Sequence, residues 1–144
     1  MGKKNLTAKE LSTYLSDMWE PLNEEQRTIL LGNYTIQSYK KNEVIYDEGD
    51  TPKYIMCLLR GKVKVYKDGV GGRSQIIRMI KPVQYFGYRA YFANENYITA
   101  AAAFEPTTIC FIPLEVLTEI VSVNCELAMF FIKELSTDLG IADE

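Results

Sequence analysis

A mainly β protein, a β-sandwich or jelly-roll barrel with helices at both ends, is the architecture this sequence predicts. Three observations predict it. From Tyr34 to Ile112 the chain carries seven or eight short runs rich in Val, Ile, Thr and Tyr. Between them lie KKN, DEGDTPK, RG, KDGVGGR, KPVQ and FEP, which are turn sequences. Before and after this region the apolar spacing is helical instead. Short strands at such intervals, punctuated by Gly, Pro, Asn and Asp, are the pattern of all-β sandwiches and barrels.

The 144 residues suit one domain with its own core. The hydrophobic share of 47% and the charged share of 24% are ordinary for a globular chain. A formal net charge of −3 argues against nucleic-acid binding by this chain itself, since that function needs a basic face. The polar start MGKKNLTAKE is not a secretory leader, and no apolar run reaches the ~18 residues of a span. The expectation is a cytoplasmic protein with no membrane partner.

The sequence has no histidine and three cysteines, Cys57, Cys110 and Cys125. An odd, scattered set of cysteines is not a disulfide framework. Cys57 and Cys110 sit in the apolar runs YIMCLL and TTICFI, where cysteine packs as a small hydrophobe. Without imidazole, metal centres of the zinc or non-haem iron type are disfavoured, and Ser-His or Cys-His nucleophiles are excluded. The expectation is no enzyme activity, no metal and no cofactor.

In chain order, Thr7 and Glu10 fit a capping box. Leu11, Tyr14, Leu15 and Met18 follow at helical spacing toward Trp19. Asn23 with Gln26 opens a second helix, and Gly32 is placed to stop it. The strand runs are YTIQSY, EVIY, YIMCLL, KVKVY, SQIIRMI, YITAAAA and TTICFI. KVKVY alternates strictly, so one of its faces meets solvent. Gly69, Gly71 and Gly72 join two strands and lack the lysine of a phosphate loop, so they read as a hairpin tip. Pro113 is placed to open a helix over LEVLTEIV. Asn124 caps another, from Cys125 to about Leu139.

The stretch from Gln84 to Phe104, QYFGYRAYFANENYITAAAAF, is the one with a pocket's composition. A glycine before a single helical turn can offer backbone N–H groups to an anion, and small residues leave room beside the backbone. From the stretch alone, the same residues better suit a tight connection where two sheets pack closely.

The order of several segments resembles a known family. VIYDEGD (44–50), YIM (54–56), GKVKVY (61–66), IKP (80–82) through Phe86-Gly87, AYF (90–92) and FIP (111–113) resemble a cyclic-nucleotide-binding domain. More narrowly, they resemble the effector domain of a Crp/Fnr-type transcriptional regulator. The resemblance runs from about Leu22 to the end and implies a double-stranded β-helix, or jelly-roll, barrel. It implies N-terminal helices over 1–33, the barrel over 34–113 and C-terminal helices over 114–144 that include the start of a dimerisation helix. Such regulators reach DNA through a helix-turn-helix domain that this sequence lacks.

The resemblance also implies an effector pocket at Phe86, Gly87, Tyr88, Arg89, Ala90, Tyr97, Ile98, Thr99 and Ala100. In the family, a Gly-Glu pair holds the ribose and an Arg followed by small residues clamps the cyclic phosphate. Here Gly87 matches the glycine, but Tyr88 stands at the Glu position and Tyr97-Ile98 or residues nearby at Arg-Ser, with Val83 where a glycine is usual. Arg89 is one place past the Glu position and is not the clamp. Each lost charge-assisted hydrogen bond removes roughly 1.5–3 kcal/mol. Cyclic AMP is therefore not the expected effector. An aromatic pocket for a less polar small molecule, or a pocket filled by its own tyrosines, remain the two alternatives.

The resulting expectation is a ligand-sensing, homodimerising domain of a Crp/Fnr-like regulator. Leu127, Phe130, Phe131 and Leu135 form its dimer helix, with Met129 and Ile132 widening the stripe. The alternatives are a cyclic-nucleotide-type module of another signalling protein and a cupin-like enzyme, the latter opposed by the absence of histidine.

Overall fold

The computed structural model describes residues 6–143. Residues 34–114 make one compact unit, and residues 6–33 with 115–143 make another.

The first unit holds eight strands: β1 (Thr35–Tyr39), β2 (Val44–Tyr46), β3 (Tyr54–Arg60), β4 (Val63–Asp68), β5 (Ser74–Ile80), β6 (Tyr85–Phe86), β7 (Ala100–Ala103) and β8 (Thr107–Pro113). Seven answer to the seven sequence runs, and the eighth is the two-residue β6. β7 is shorter than its run, because residues 97–99 stay outside the ladder. All pairings are antiparallel, in two four-stranded sheets ordered β1-β8-β3-β6 and β2-β7-β4-β5.

One core joins the two sheets. Met56, Leu58, Phe86, Ile109 and Phe111 come from one sheet and Val63, Ile80 and Ala101 from the other. β3 is buried on both faces, since Ile55, Cys57 and Leu59 alternate with Met56 and Leu58 and are buried too. Cys57 lies directly opposite Cys110 in the β3–β8 ladder, and both are free thiols in apolar surroundings. The alanine run is the whole of β7, buried throughout, and it lies between β2 and β4. Residues this small let a central strand pack closely on both sides.

Two glycines are conformational necessities. At Gly61 φ is +91°, and a Cβ there would lie 2.4 Å from the Pro106 carbonyl oxygen and from Thr107 Oγ1. At Gly87 φ is +84°. The Gly69–Gly72 segment is the tip of the β4–β5 hairpin, where Gly71 and Gly72 both take positive φ.

The second unit contains α1 (Ala8–Leu15), α2 (Glu24–Leu31), α4 (Leu114–Val121) from its second residue on, and α5 (Cys125–Asp143); the single-turn α3 (Arg89–Phe92) belongs to the strand unit. Both predicted capping boxes form, Thr7 with Glu10 and Asn23 with Gln26. The first helix does not run on to Trp19. It leaves α geometry at Ser16, where φ is 34°, and tightens into a 3-10 turn over Ser16–Met18 that keeps Leu15 and Met18 fully buried. Pro113 ends β8, and the helix begins one residue later at Leu114. Among the described residues no helix is long and apolar enough to cross a membrane.

Candidate functional site

The segment between β6 and β7 is the site the sequence singles out. Phe86 closes β6 and is buried. Gly87 then turns the chain, and Tyr88 and Ala90 are buried at 3% exposure each as α3 begins. A positive φ at residue 87 is what reverses the chain here, and glycine adopts it without strain.

Tyr97 is the residue that determines what this place can do. It is 8% exposed, and its hydroxyl donates to the Gly87 carbonyl at 2.7 Å. Its ring lies flat on Tyr46 of β2, with centroids 3.8 Å apart and planes 16° from parallel. Its backbone is tied as well: the Tyr97 N–H donates to the Asp50 carbonyl at 2.9 Å, and its carbonyl accepts the Gly49 N–H at 2.7 Å. Met56 fills the other side, because a Cβ on Gly87 would lie 2.1 Å from the Met56 methyl and 3.2 Å from the Tyr97 hydroxyl. The backbone beside Gly87 is thus covered by the protein's own side chains.

Burial, followed by electrostatic coupling to the Tyr46 phenol and the Asp50 carboxylate, pushes the Tyr97 phenol well above its ordinary range. Burial likewise pushes Tyr46 up to about 12, partly offset by a hydrogen bond with Thr99 and by the positive charges of Arg78 and Arg89. Both phenols are neutral at any physiological pH.

The other expected site residues divide. Thr99 is half-buried and reaches Tyr46. Ala100 is buried as the first residue of β7. Ile98 points to solvent at 52% exposure and is not brought in with them. Arg89 is also exposed, and its guanidinium is paired with Glu95. The exposed end of that pair follows from the single-turn helix, which presents one face to solvent.

Sequence reading missed Arg78. It lies opposite Val65 in the β4–β5 ladder, and two residues on Ile80 lies opposite Val63 in the core. Period-two alternation therefore aims Arg78 at the inner face. The pattern Arg78-Met79-Ile80 carried that signal once Ile80 was known to be core. Tyr54, Met56 and Phe111 were missed as well, because they lie far from the Gly87 segment along the chain and only strand pairing brings them near it.

Among the described residues, two of the cavities open on this unit. One of about 480 Å³ follows the outside of α3, against Thr51, Pro52, Tyr91 and Glu95. The other, of about 320 Å³, lies behind the Tyr46–Tyr97 stack and reaches Met56 and Phe111. Neither is lined by Gly87, Tyr88, Arg89 or Ala90. Among the described residues no group of three or more His, Cys, Asp or Glu is arranged to hold a metal.

On α5 the expected dimer residues are unevenly placed. Leu127 and Phe131 are buried, and Phe130 and Leu135 are half-buried. Among the described residues of α5, the large apolar side chains open to solvent are Met129, Ile132 and Leu139, at 50%, 52% and 64% exposure. A helix turns 3.6 residues, so these three form a row distinct from the one through Leu127 and Phe131.

Residues 36–124 match the sequence profile of the cyclic nucleotide-binding domain. The chain is 33% identical over 92 residues to a cGMP-dependent protein kinase of Toxoplasma gondii, a match that covers 64% of this chain and 9% of the kinase. It is 31% identical over 81 residues to the transcriptional activator protein FnrA of Stutzerimonas stutzeri, covering 56% of this chain and 33% of that one. The chain therefore spans a third or less of the length of these two relatives. Among solved structures, the sensor domain of the transcriptional regulator DNR from Pseudomonas aeruginosa superposes with a TM-score of 0.81. That match covers 95% of this chain and 94% of the sensor domain at 22% identity, a likeness of fold.

Proposed function

This chain belongs to the cyclic nucleotide-binding domain family, and on that premise we propose that it is the ligand-sensing and dimerisation domain of a Crp/Fnr-type transcription regulator that does not take cyclic AMP in the family's usual way. It is regulatory and not an enzyme, works in the cytoplasm, and contacts DNA only through a further domain. Its layout is helices over 1–33, a barrel over 34–113 and the dimerisation helix within 114–144. Strands that pair in nested order, β4 with β5, β3 with β6, β2 with β7 and β1 with β8, support reading the barrel as a jelly roll.

The observation that carries this reading is the Tyr97 hydroxyl bound to the Gly87 carbonyl. A tyrosine stands where the family resemblance puts the phosphate-clamping arginine, and it spends its one donor on the glycine's own backbone. The effector is a small molecule less polar than a cyclic nucleotide. It acts through the segment from Phe86 to Ala100, on which Tyr97 and Thr99 both meet Tyr46. An occupant that moves Tyr97 also pulls on the Gly49 and Asp50 backbone, which gives binding a structural consequence.

Dimerisation uses the open row Met129, Ile132 and Leu139, flanked by Phe130 and Leu135. Their spacing, with Ser136 between, is that of a two-stranded helical seam. The identity with the cGMP-dependent kinase favours one second reading, a regulatory module of a signalling enzyme. Sedimentation equilibrium tests the choice. The chain is expected to show a concentration-dependent dimer that Ile132→Glu abolishes and Lys133→Glu leaves in place. A monomer at every concentration would remove the regulator reading.

A further inference from the structure

The cavity behind the Tyr46–Tyr97 stack has a chemistry of its own. Its volume of about 320 Å³ is at the low end of the roughly 300–1,000 Å³ range of small-molecule sites, which suits one or two fused rings. Four of its walls are aromatic. Tyr46 and Tyr97 form one flat plate, while Tyr54 and Phe111 meet edge to face, 5.6 Å apart at 87°. Met56 adds a polarisable thioether, and half-buried Ile45 closes the side. Walls of this kind favour a flat π-system, stacked or edge-on.

The polar groups around it are largely committed. The Tyr97 hydroxyl serves Gly87, and the Tyr46 hydroxyl is engaged with Thr99. At the mouth, the Asp50 carboxylate is folded back to accept the Asp47 N–H at 2.9 Å. A sugar or a cyclic phosphate would find few free donors here. Lys53, also at the mouth, is exposed and makes no ion pair among the described residues.

We propose that this cavity binds a small planar aromatic molecule carrying one negative charge, its ring between the tyrosine plate and Phe111 and its anionic group at Lys53. The inference rests on the ligand-sensing reading and names that ligand's class and seat. The seat lies behind Tyr97, so occupancy pushes on the ring whose hydroxyl holds Gly87. Binding energy is thereby coupled to the Gly87 turn without any contact to Arg89.

The test uses 1-naphthoate as the probe and methionine-methyl NMR of the 144-residue chain. Expected is a saturable ring-current shift of the Met56 methyl with no shift of the Met129 methyl, which is exposed on α5. The neutral analogue 1-naphthalenemethanol should bind roughly two- to fivefold more weakly, the size of one solvent-exposed charge pair, and Lys53→Ala should erase that difference. Ile45→Trp, filling the cavity, should abolish the shift while circular dichroism stays unchanged. No Met56 shift at millimolar probe would overturn the proposal without help from any variant. Retained binding in folded Ile45→Trp would overturn it too. A Met56 shift that leaves the monomer–dimer balance untouched would keep the cavity and remove the sensing role, so the two failures are distinct.

Discussion

The side-chain amide of Asn124 donates to Gln26 Oε1 at 2.9 Å, and this one contact links the starts of two helices. Asn124 Oδ1 caps α5 by accepting the Leu127 N–H at 3.0 Å, while its Nδ2 also donates to the Pro21 carbonyl at 2.9 Å. Gln26 Oε1 accepts the Asn23 N–H at 3.0 Å as part of its own capping box. The amide nitrogen is therefore as necessary as the oxygen.

Asn124→Asp keeps a good cap but turns the donor into an acceptor facing two other acceptors. It should destabilise the chain by about 1–3 kcal/mol. Asn124→Ala, which loses the cap and both donors, should cost a similar amount or more. Urea unfolding of the two variants checks this. An Asp variant as stable as the parent would show that the donor half of the amide is idle.

Gly61→Ala and Gly87→Ala should differ. Both positions have positive φ, a strain of roughly 1–2 kcal/mol for alanine. At Gly87 the obstruction is the tip of Met56, which can rotate away. At Gly61 it includes the Pro106 carbonyl and Thr107 Cα, which are backbone and cannot. Gly87→Ala should therefore cost about 1–2 kcal/mol, and Gly61→Ala about 3 kcal/mol or more. Equal costs in a denaturant series would refute the distinction between movable and fixed neighbours.

Calorimetric titration with cyclic AMP and cyclic GMP should give no micromolar binding. A micromolar complex needs about 8.2 kcal/mol, and neutral backbone donors contribute only about 0.5–1.5 kcal/mol each. Arg89 is held outward by Glu95. Clear micromolar heat that disappears in Arg89→Ala would mean that Arg89 leaves Glu95 and acts as a substitute clamp.

Stability should be level at neutral pH and fall in alkali. Tyr46 ionises near 10 when unfolded and at about 12 when folded, and Cys110 is raised by burial from 9 to about 12. Cys57 is raised by burial as well, with the neighbouring Cys110 adding to it. A raised folded value means the stabilisation is complete below the unfolded value and is lost as pH climbs toward the folded one. The urea midpoint should hold to about pH 9 and then decline toward pH 12. Tyrosinate absorbance should show a late fraction, from Tyr46 and Tyr97. A flat midpoint through that range would contradict the buried, protonated state of these groups.

Most of the secondary structure was legible in the chain because its signals are local. A capping pair such as Asn23 and Gln26, or a glycine-rich tip such as Gly69–Gly72, acts over three or four residues. So does the alternation in Val63-Lys64-Val65-Tyr66. β6 escaped because two residues carry no period; it exists because Cys57 and Met56 of β3 are there to pair with. The break at Ser16 has no local signal either.

The sequence alone determined the mainly β plan and the family likeness, and it set the expectation that Tyr88 and Tyr97 stand where the family carries charged contacts. What the tyrosines do instead was decided only in three dimensions. Tyr97 is 51 residues from Tyr46 in the chain and stacks on it because β2 and β7 are neighbours in one sheet. Met56 meets Gly87 because β3 pairs with β6. On α5, helical spacing marks a broad apolar surface, but only packing sorts it into the buried Leu127 and Phe131 and the open Met129, Ile132 and Leu139. Local periodicity says which residues can share a face; which face is covered depends on partners distant in sequence, and that information is carried by the tertiary fold.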